Sequence, residues 1–148
     1  MELKRFNMKL EKSNGINVYS VDGYKLKIME TKTMNGEFYL LSTKEILNVL
    51  HYFKVLDKLK EIKIHNTKLL NVQAFVMLNL KELKENTLNL YAISELCHGR
   101  FGITNDRKNT LFTLLHEIGH LLHGSGEEMA DQFAIDHIDE LWNKLIKE

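Results

Sequence analysis

The sequence predicts an α+β fold in one domain that spans residues 1–148, and three observations support this. Residues 16–21 alternate, as strands with one buried face do, and they open a region, residues 16–41, that contains two tight-turn dipeptides between β-forming residues. Residues 109–147 place apolar side chains at the three- and four-residue spacing of helices. The chain has 148 residues that are 44% hydrophobic, enough for a core without disulfides, and it contains one cysteine, Cys97. We expect a small, mostly antiparallel sheet packed on helices.

The first half of the chain divides into recognisable elements. The dipeptides Asp22-Gly23 and Asn35-Gly36 favour tight turns, so residues 16–41 are predicted to form a β-meander. Ser42 begins a capping box with Glu45, which indicates the start of a helix. The apolar stripe of that helix is Ile46, Val49, Leu50, Phe53 and Leu56. Residues 61–65 alternate again and predict a strand.

The second half leads into two helices. Residues 69–80 are apolar enough to be a buried helix or a strand, and their periodicity does not separate the two. Residues 87–93 and 100–104 favour strands. Asn109 is the expected N-cap of the helix that follows.

The first of these helices carries the pentapeptide H-E-x-x-H. His116 and His120 are four residues apart and therefore share one helix face, where two imidazoles can bind one Zn²⁺. Glu117 lies about 100° around the same helix, from where it can take a proton from a water molecule without binding the metal. This is the arrangement that general-base activation of water requires.

A catalytic zinc needs a third protein ligand, and the sequence after His120 offers one. Gly124 and Gly126 end the first helix, and Ser125 begins a second capping-box pattern with Glu128. The second helix must then fold back across the first. Glu128 is the favoured third ligand, and Asp131, one turn further on, is expected to accept the N–H of a ligand imidazole.

Two other side chains compete for the third position. Glu127 is the neighbour of Glu128 and the main competitor. His123 lies on the correct face of the first helix, but about 10 Å along the axis from His116, which is too far for one tetrahedral ion.

Two linked motifs in this region resemble those of a known family. Residues 116–124 read His-Glu-Ile-Gly-His-Leu-Leu-His-Gly, and residues 127–134 read Glu-Glu-Met-Ala-Asp-Gln-Phe-Ala. Together they resemble the ImmA/IrrE family of zinc-dependent peptidases, over about residues 101–136. The resemblance implies a compact zincin-like domain, with His116, His120 and Glu128 as ligands and Glu117 as the catalytic base.

The function that follows is a zinc-dependent endopeptidase of restricted specificity, in which Mn²⁺ or Fe²⁺ could replace Zn²⁺. The resemblance implies a regulatory substrate, such as a helix-turn-helix transcriptional repressor encoded beside the peptidase on a phage or mobile element. Residues 101–104 are expected to pair with the substrate backbone as an added strand. Two alternatives stay open: an anti-repressor or adaptor that binds its partner without cutting it, and a component of a toxin–antitoxin operon.

Several further residues receive structural interpretations. His98 could approach the cleft as a donor in the transition state, although a loop position is favoured. Cys97 is expected to be a small core residue. The other histidines, His51, His65 and His137, are expected to be structural or exposed. The stripe of the last helix, expected to pack in the core, is Phe133, Ile138, Leu141, Trp142 and Leu145.

Charge and targeting patterns limit the remaining function classes. Twenty basic and twenty acidic residues give a net charge of zero, which argues against direct nucleic-acid binding. The N-terminal residues lack an apolar signal region, and nowhere do 18 apolar residues follow one another. We therefore expect a cytoplasmic protein with no membrane span.

Overall fold

The computed structural model describes residues 3–31, 39–68, 74–77, 87–92, 106–124 and 126–146. The strands are β1 (Met8–Ser13), β2 (Ile16–Val21), β3 (Lys27–Thr31), β4 (Glu61–Lys68), β5 (Ala74–Met77) and β6 (Thr87–Ala92). The helices are α1 (Thr43–Tyr52), α2 (Asp106–His123) and α3 (Glu127–Leu141). A 3-10 turn at Leu56–Lys58 follows α1, and a π-helical turn at Trp142–Ile146 extends α3.

The strands form one mixed sheet in the order β1-β2-β3-β4-β6-β5. Three neighbouring pairs are antiparallel, β1–β2, β2–β3 and β5–β6, whereas β3–β4 and β4–β6 are parallel. The α+β class is therefore confirmed, and three of the five strand pairs are antiparallel in a sheet that was expected to be mostly antiparallel. The two pairs that involve β4 are parallel, which the sequence did not predict. The connection from β3 to β4 contains α1, and parallel neighbours need a crossover of this kind.

One face of the sheet packs into a continuous apolar core with the helices. Along β4, Ile62 and Ile64 are buried, and they lie beside Ile28 of β3 and the two leucines of β6, Leu88 and Leu90. Leu111, Leu114, Leu115 and Ile118 of α2 are completely buried in the same cluster. The alternation seen in residues 61–65 thus corresponds to one buried face, as expected.

The capping box at Ser42 forms as predicted. The Ser42 hydroxyl accepts a hydrogen bond from the Glu45 N–H at 3.1 Å, and the Glu45 carboxylate accepts one from the Ser42 N–H at 2.9 Å. Ile46, Val49 and Leu50 of the predicted stripe are buried. The helix itself ends at Tyr52, so the last two members of that stripe, Phe53 and Leu56, lie in its C-cap and in the 3-10 turn.

The meander begins earlier than predicted. Its first strand is β1, which the sequence-based prediction missed, and the turn between β1 and β2 contains Asn14-Gly15, with Gly15 at a φ of 82°. All six residues of β1 are exposed, so this edge strand lacks the buried face that makes a strand recognisable. The turn at Asp22-Gly23 forms as expected. Residues 39–42 are irregular, and Asn35-Gly36 lies outside the described residues.

The middle of the chain is described only in part. Within the ambiguous stretch 69–80, residues 74–77 form a strand, and the rest lies outside the described residues. The strand predicted at 87–93 is present as β6. The predicted strand at 100–104, together with Cys97 and His98, also lies outside the described part of the chain.

The helix predicted to start at Asn109 begins at Asp106 instead. Asn109 is buried inside the first turn of α2 and is not the N-cap. Two residues of the first turn form tertiary ion pairs: Arg107 pairs with Glu45 of α1, and Lys108 pairs with Asp139 of α3 at 2.9 Å. None of the helices in the described ranges is long and apolar enough to cross a bilayer.

Candidate metal centre

The two histidines of the H-E-x-x-H sequence converge on α2. His116 and His120 are one turn apart, and their Nε2 atoms lie 3.1 Å from each other. Two nitrogens that bind one tetrahedral zinc at about 2.05 Å would be about 3.3 Å apart. The helical spacing therefore produces nearly the separation that a shared metal ion requires.

The other nitrogen of each ring is held by an acceptor. His116 Nδ1 lies 2.7 Å from Asp131 Oδ1, and His120 Nδ1 lies 2.9 Å from the carbonyl oxygen of Gly124. A carboxylate and a carbonyl oxygen accept hydrogen bonds and cannot donate them, so each Nδ1 carries the proton and donates it. In a neutral imidazole this leaves the Nε2 lone pair unprotonated, and the two lone pairs face each other.

A carboxylate completes the group from α3. Glu127 Oε2 lies 2.7 Å from His120 Nε2, and Glu127 Oε1 lies 3.3 Å from His116 Nε2. One ligand atom from each of the three residues falls within 4.8 Å of the others, so the group could hold a metal ion. The histidine side chains are 13% exposed and that of Glu127 is 71% exposed, which leaves one side of the group open to solvent.

The structure brings Glu127, and not Glu128, to the histidine pair. The N-cap of α3 is Gly126, so Glu127 is the first helical residue. Ser125, from which the capping box was predicted, lies outside the described residues. Both glutamates are exposed, but Glu127 shares a helix face with buried Ala130 and Ala134, three and seven residues on, and it alone of the two belongs to the group that could hold a metal among the described residues.

Asp131 lies beside a ligand imidazole, that of His116, as the sequence predicted. The carboxylate that shares its helix face is Glu127, whereas Glu128 was expected there. Asp131 is four residues from Glu127, so a single face of α3 carries both the carboxylate near the Nε2 atoms and the one that holds Nδ1. His123 is exposed at the end of α2, and its ring lies 5.8 Å from that of Phe133. It is not part of the three-residue group among the described residues.

Glu117 occupies a protected position next to this group. Its side chain is only 7% exposed, and its Oε2 atom lies 3.8 Å from His116 Nε2. It is thus beside the point where the Nε2 atoms converge but does not belong to the group that could hold a metal. A buried carboxylate in this place can accept a proton from a water molecule located between it and the ligand atoms.

Close packing between α2 and α3 sets the distance across the site. Gly119 faces α3, and a β-carbon there would lie 3.0 Å from Ala130 Cα and 3.1 Å from Phe133 Cβ. Only a residue without a side chain allows the helices to approach this far. Gly124, with a φ of 96°, then reverses the chain and presents its carbonyl to His120.

Two features of the site were missed by sequence reasoning. The Gly124 carbonyl is a backbone acceptor, which no side-chain pattern reveals. The choice of Glu127 had a signal: counting back three and seven residues from the small residues Ala130 and Ala134 reaches Glu127. The remaining histidines have structural contacts: His51 with Phe6, His65 stacked on Tyr91, and His137 with Phe53 and Phe133.

Comparison with protein-family models, with curated proteins and with solved structures found no match to this chain.

Proposed function

We propose that this chain is a zinc-dependent endopeptidase whose metal is held by His116, His120 and Glu127. The observation that carries the proposal is the convergence of two imidazole nitrogens and one carboxylate oxygen, each of which can bind a metal ion. Both imidazoles donate from Nδ1, so two Nε2 lone pairs and a carboxylate face one another at 2.7–3.3 Å. Such a group is repulsive unless a cation lies among its members.

The three ligand atoms fit a catalytic zinc site. Two nitrogens and one carboxylate oxygen are three protein ligands, and catalytic zinc keeps its fourth position for water or substrate. When bound, zinc would supply a Lewis acid that polarises a carbonyl group and makes water a stronger acid. Asp131 and the Gly124 carbonyl fix the orientation of the two rings, as supporting acceptors do around metal sites.

Glu117 supplies the proton transfer in this proposal. Its carboxylate takes a proton from the attacking water and delivers it to the departing amine of the cleaved peptide. Burial keeps the carboxylate away from bulk water, and its position 3.8 Å from His116 Nε2 places it within reach of a water in the site. Aspartate at this position would be shorter by one methylene group and would not reach as far.

The sheet offers an edge for the substrate. β5 is the last strand in the order formed by the described residues, it is antiparallel to β6, and α2 packs near it. An extended peptide can add to such an edge through main-chain hydrogen bonds. Residues 101–104, the edge expected from the sequence, lie outside the described residues.

A regulatory protein is the proposed substrate class, and a helix-turn-helix repressor encoded beside this chain is the first candidate to test. This part of the proposal comes from the resemblance to the ImmA/IrrE motifs. The alternative is a metal-binding partner that sequesters the repressor without cutting it. It uses the same ligands, but in it Glu117 has no catalytic role.

The metal assignment is tested with a matched pair of substitutions. The wild-type protein should bind one zinc per chain, and His116→Ala together with His120→Ala should abolish binding. Glu127→Gln should weaken zinc binding strongly because it removes a charged ligand, whereas Glu128→Gln, one residue on and exposed, should leave it nearly unchanged. A larger loss from Glu128→Gln would restore Glu128 as the third ligand.

The peptidase assignment is tested with Glu117→Gln. This variant should still bind zinc and the candidate repressor but should not produce fragments, as mass spectrometry of the incubated mixture would reveal. If Glu117→Gln inactivates the repressor as fully as the wild-type protein does, the chain acts by sequestration and the peptidase proposal fails.

A further inference from the structure

The edge of the sheet opposite to β5 is formed by β1, and this strand is exposed along its whole length. Within the described residues β1 pairs with β2 alone, so no strand lies beside its outer main-chain groups there. Every residue of Met8–Ser13 is exposed. An open edge of this kind can pair with a strand of another chain, and proteins commonly protect such edges with charged side chains, bulges or short strands.

An apolar row crosses the sheet and reaches this edge without being covered. Ile62 and Ile28 are neighbours in register, and both are buried. Next to Ile28 lies Tyr19, which is partly buried against the core, and next to Tyr19 lies Leu10. Leu10 is 51% exposed, and Met8, two residues away on the same face of β1, is also exposed. The apolar face of the sheet therefore extends beyond the core and ends on exposed side chains.

The sequence of β1 is self-complementary when two copies of the strand run antiparallel about Leu10. In that register Leu10 of one copy is opposite Leu10 of the other, and each Lys9 is opposite a Glu11. Directly opposite residues lie on the same face of a sheet, so two apolar side chains meet on one face and two ion pairs form on the other. A shift by one residue in one direction brings Lys9 opposite Lys12, and the reverse shift brings Lys9 opposite Leu10. Neither shifted register retains an ion pair.

The charged side chains of β1 lie on the face that this pairing requires. Glu11 forms an ion pair with Lys27 of β3. Lys27 is next to Ser20 in the β2–β3 register, and Ser20 is next to Lys9 in the β1–β2 register, so these side chains share one face. Lys9 and Glu11 are therefore both on the face away from Leu10. A lysine on an edge strand commonly keeps another strand away, but here the lysine of each copy meets the carboxylate of the other.

We propose that β1 is a homodimer interface, at which two copies of this chain pair edge to edge about a twofold axis at Leu10 and form one continuous sheet. A twofold contact uses the same surface on both copies and therefore closes at two chains. The contact is one strand long, so the dimer is weak and its population depends on protein concentration. The interface uses no residue of the metal centre, so it does not depend on the proposed peptidase function.

A charge exchange between two variants tests the interface and its register. Lys9→Glu places like charges opposite each other in its own dimer, and so does Glu11→Lys, so each variant alone should associate about tenfold or more weakly than wild type. An equimolar mixture of the two variants restores both ion pairs, so its affinity should return to within about threefold of wild type. Sedimentation equilibrium over a series of concentrations measures these affinities, and circular dichroism verifies that each variant is folded.

Two further substitutions separate this edge from other surfaces. Leu10→Lys should weaken association about tenfold or more because it brings two charges together at the axis, whereas Ile135→Lys, at an exposed apolar residue of α3, should leave it within about twofold. Replacing His116 and His120 by alanine should leave association unchanged, so a failed metal centre and a failed dimer are distinguishable.

Three results would overturn the proposal. The first is a wild-type protein that stays monomeric up to about 1 mM, which would leave the edge to a peptide of another protein. The second is a mixture of Lys9→Glu and Glu11→Lys that associates as weakly as either variant alone. The third is assembly beyond two chains, since a twofold contact closes at the dimer.

Discussion

Replacing Gly119 by alanine should separate the two helices that form the metal centre. The added β-carbon would lie 3.0 Å from Ala130 Cα and 3.1 Å from Phe133 Cβ. Carbon atoms in contact prefer about 3.5–4.0 Å, so α3 must retreat by about 0.5 Å or more. The nearest atom is backbone and cannot move aside as a flexible side chain would, and the retreat carries Glu127 and Asp131 away from the histidines.

The expected magnitude for Gly119→Ala combines two opposing effects. Overpacking a close contact costs about 1–3 kcal/mol. Alanine is favoured over glycine inside a helix by about 1 kcal/mol. The metal-free variant should therefore be about 0–2 kcal/mol less stable than wild type. Zinc affinity should fall about tenfold or more, equivalent to about 1.4 kcal/mol, because metal ligands tolerate shifts of only about 0.2 Å.

Urea unfolding of the metal-free protein measures the stability of the variant. Competition with a coloured zinc chelator measures its zinc affinity separately. Gly126→Ala is the control, since its β-carbon would meet only Met129 atoms at 3.8 Å and its φ is an ordinary −68°. It should leave zinc affinity within about twofold of wild type. A Gly119→Ala variant that binds zinc as tightly as wild type, and is more stable by the full helix-propensity gain of about 1 kcal/mol, would show that the close contact at Gly119 does not set the site.

Three further predictions follow from single contacts. Asp131→Asn should weaken zinc binding or activity about 10–100-fold, with Asp136→Asn, which is exposed, as a neutral control; equal effects would contradict the role of Asp131. Gly124→Ala should cost about 1–2 kcal/mol in urea unfolding because its φ is 96°, and an unchanged midpoint would exclude strain there. A hydrogen bond from Tyr52 lowers the pKa of Glu140, so Tyr52→Phe should raise that pKa toward its ordinary value in an NMR titration. If the pKa of Glu140 does not change in this variant, Tyr52 does not donate a hydrogen bond to Glu140.

The spacing of the histidines could be predicted because it depends only on helix geometry. Residues four apart in a helix share a face whatever surrounds them, so His116 and His120 had to converge once the helix formed. The capping box at Ser42 and the turn at Asp22-Gly23 were equally local, since each depends on a few adjacent residues. These features needed no knowledge of the rest of the fold.

The identity of the carboxylate beside the histidines depended on tertiary packing. Glu127 and Glu128 have the same chemistry and adjacent positions. A helix whose N-cap is Gly126, one residue after the predicted N-cap, presents Glu127 to the histidines of α2. The close approach of Gly119 to Ala130 decides which face of α3 meets α2, and with it the choice of Glu127. Sequence reasoning located the turn but not the rotation of the helix after it.

Pairing between distant segments was likewise decided only in the folded structure. β1 is exposed on every residue and exists because β2 pairs with it, so it carries no buried stripe by which to recognise it. The parallel centre of the sheet depends on where α1 crosses between β3 and β4. Local periodicity by itself therefore determined the H-E-x-x-H face of α2. The rotation of α3, the strand order and the position of Glu127 depended on tertiary contacts, because the packing energies that fix them come from residues far apart in the chain.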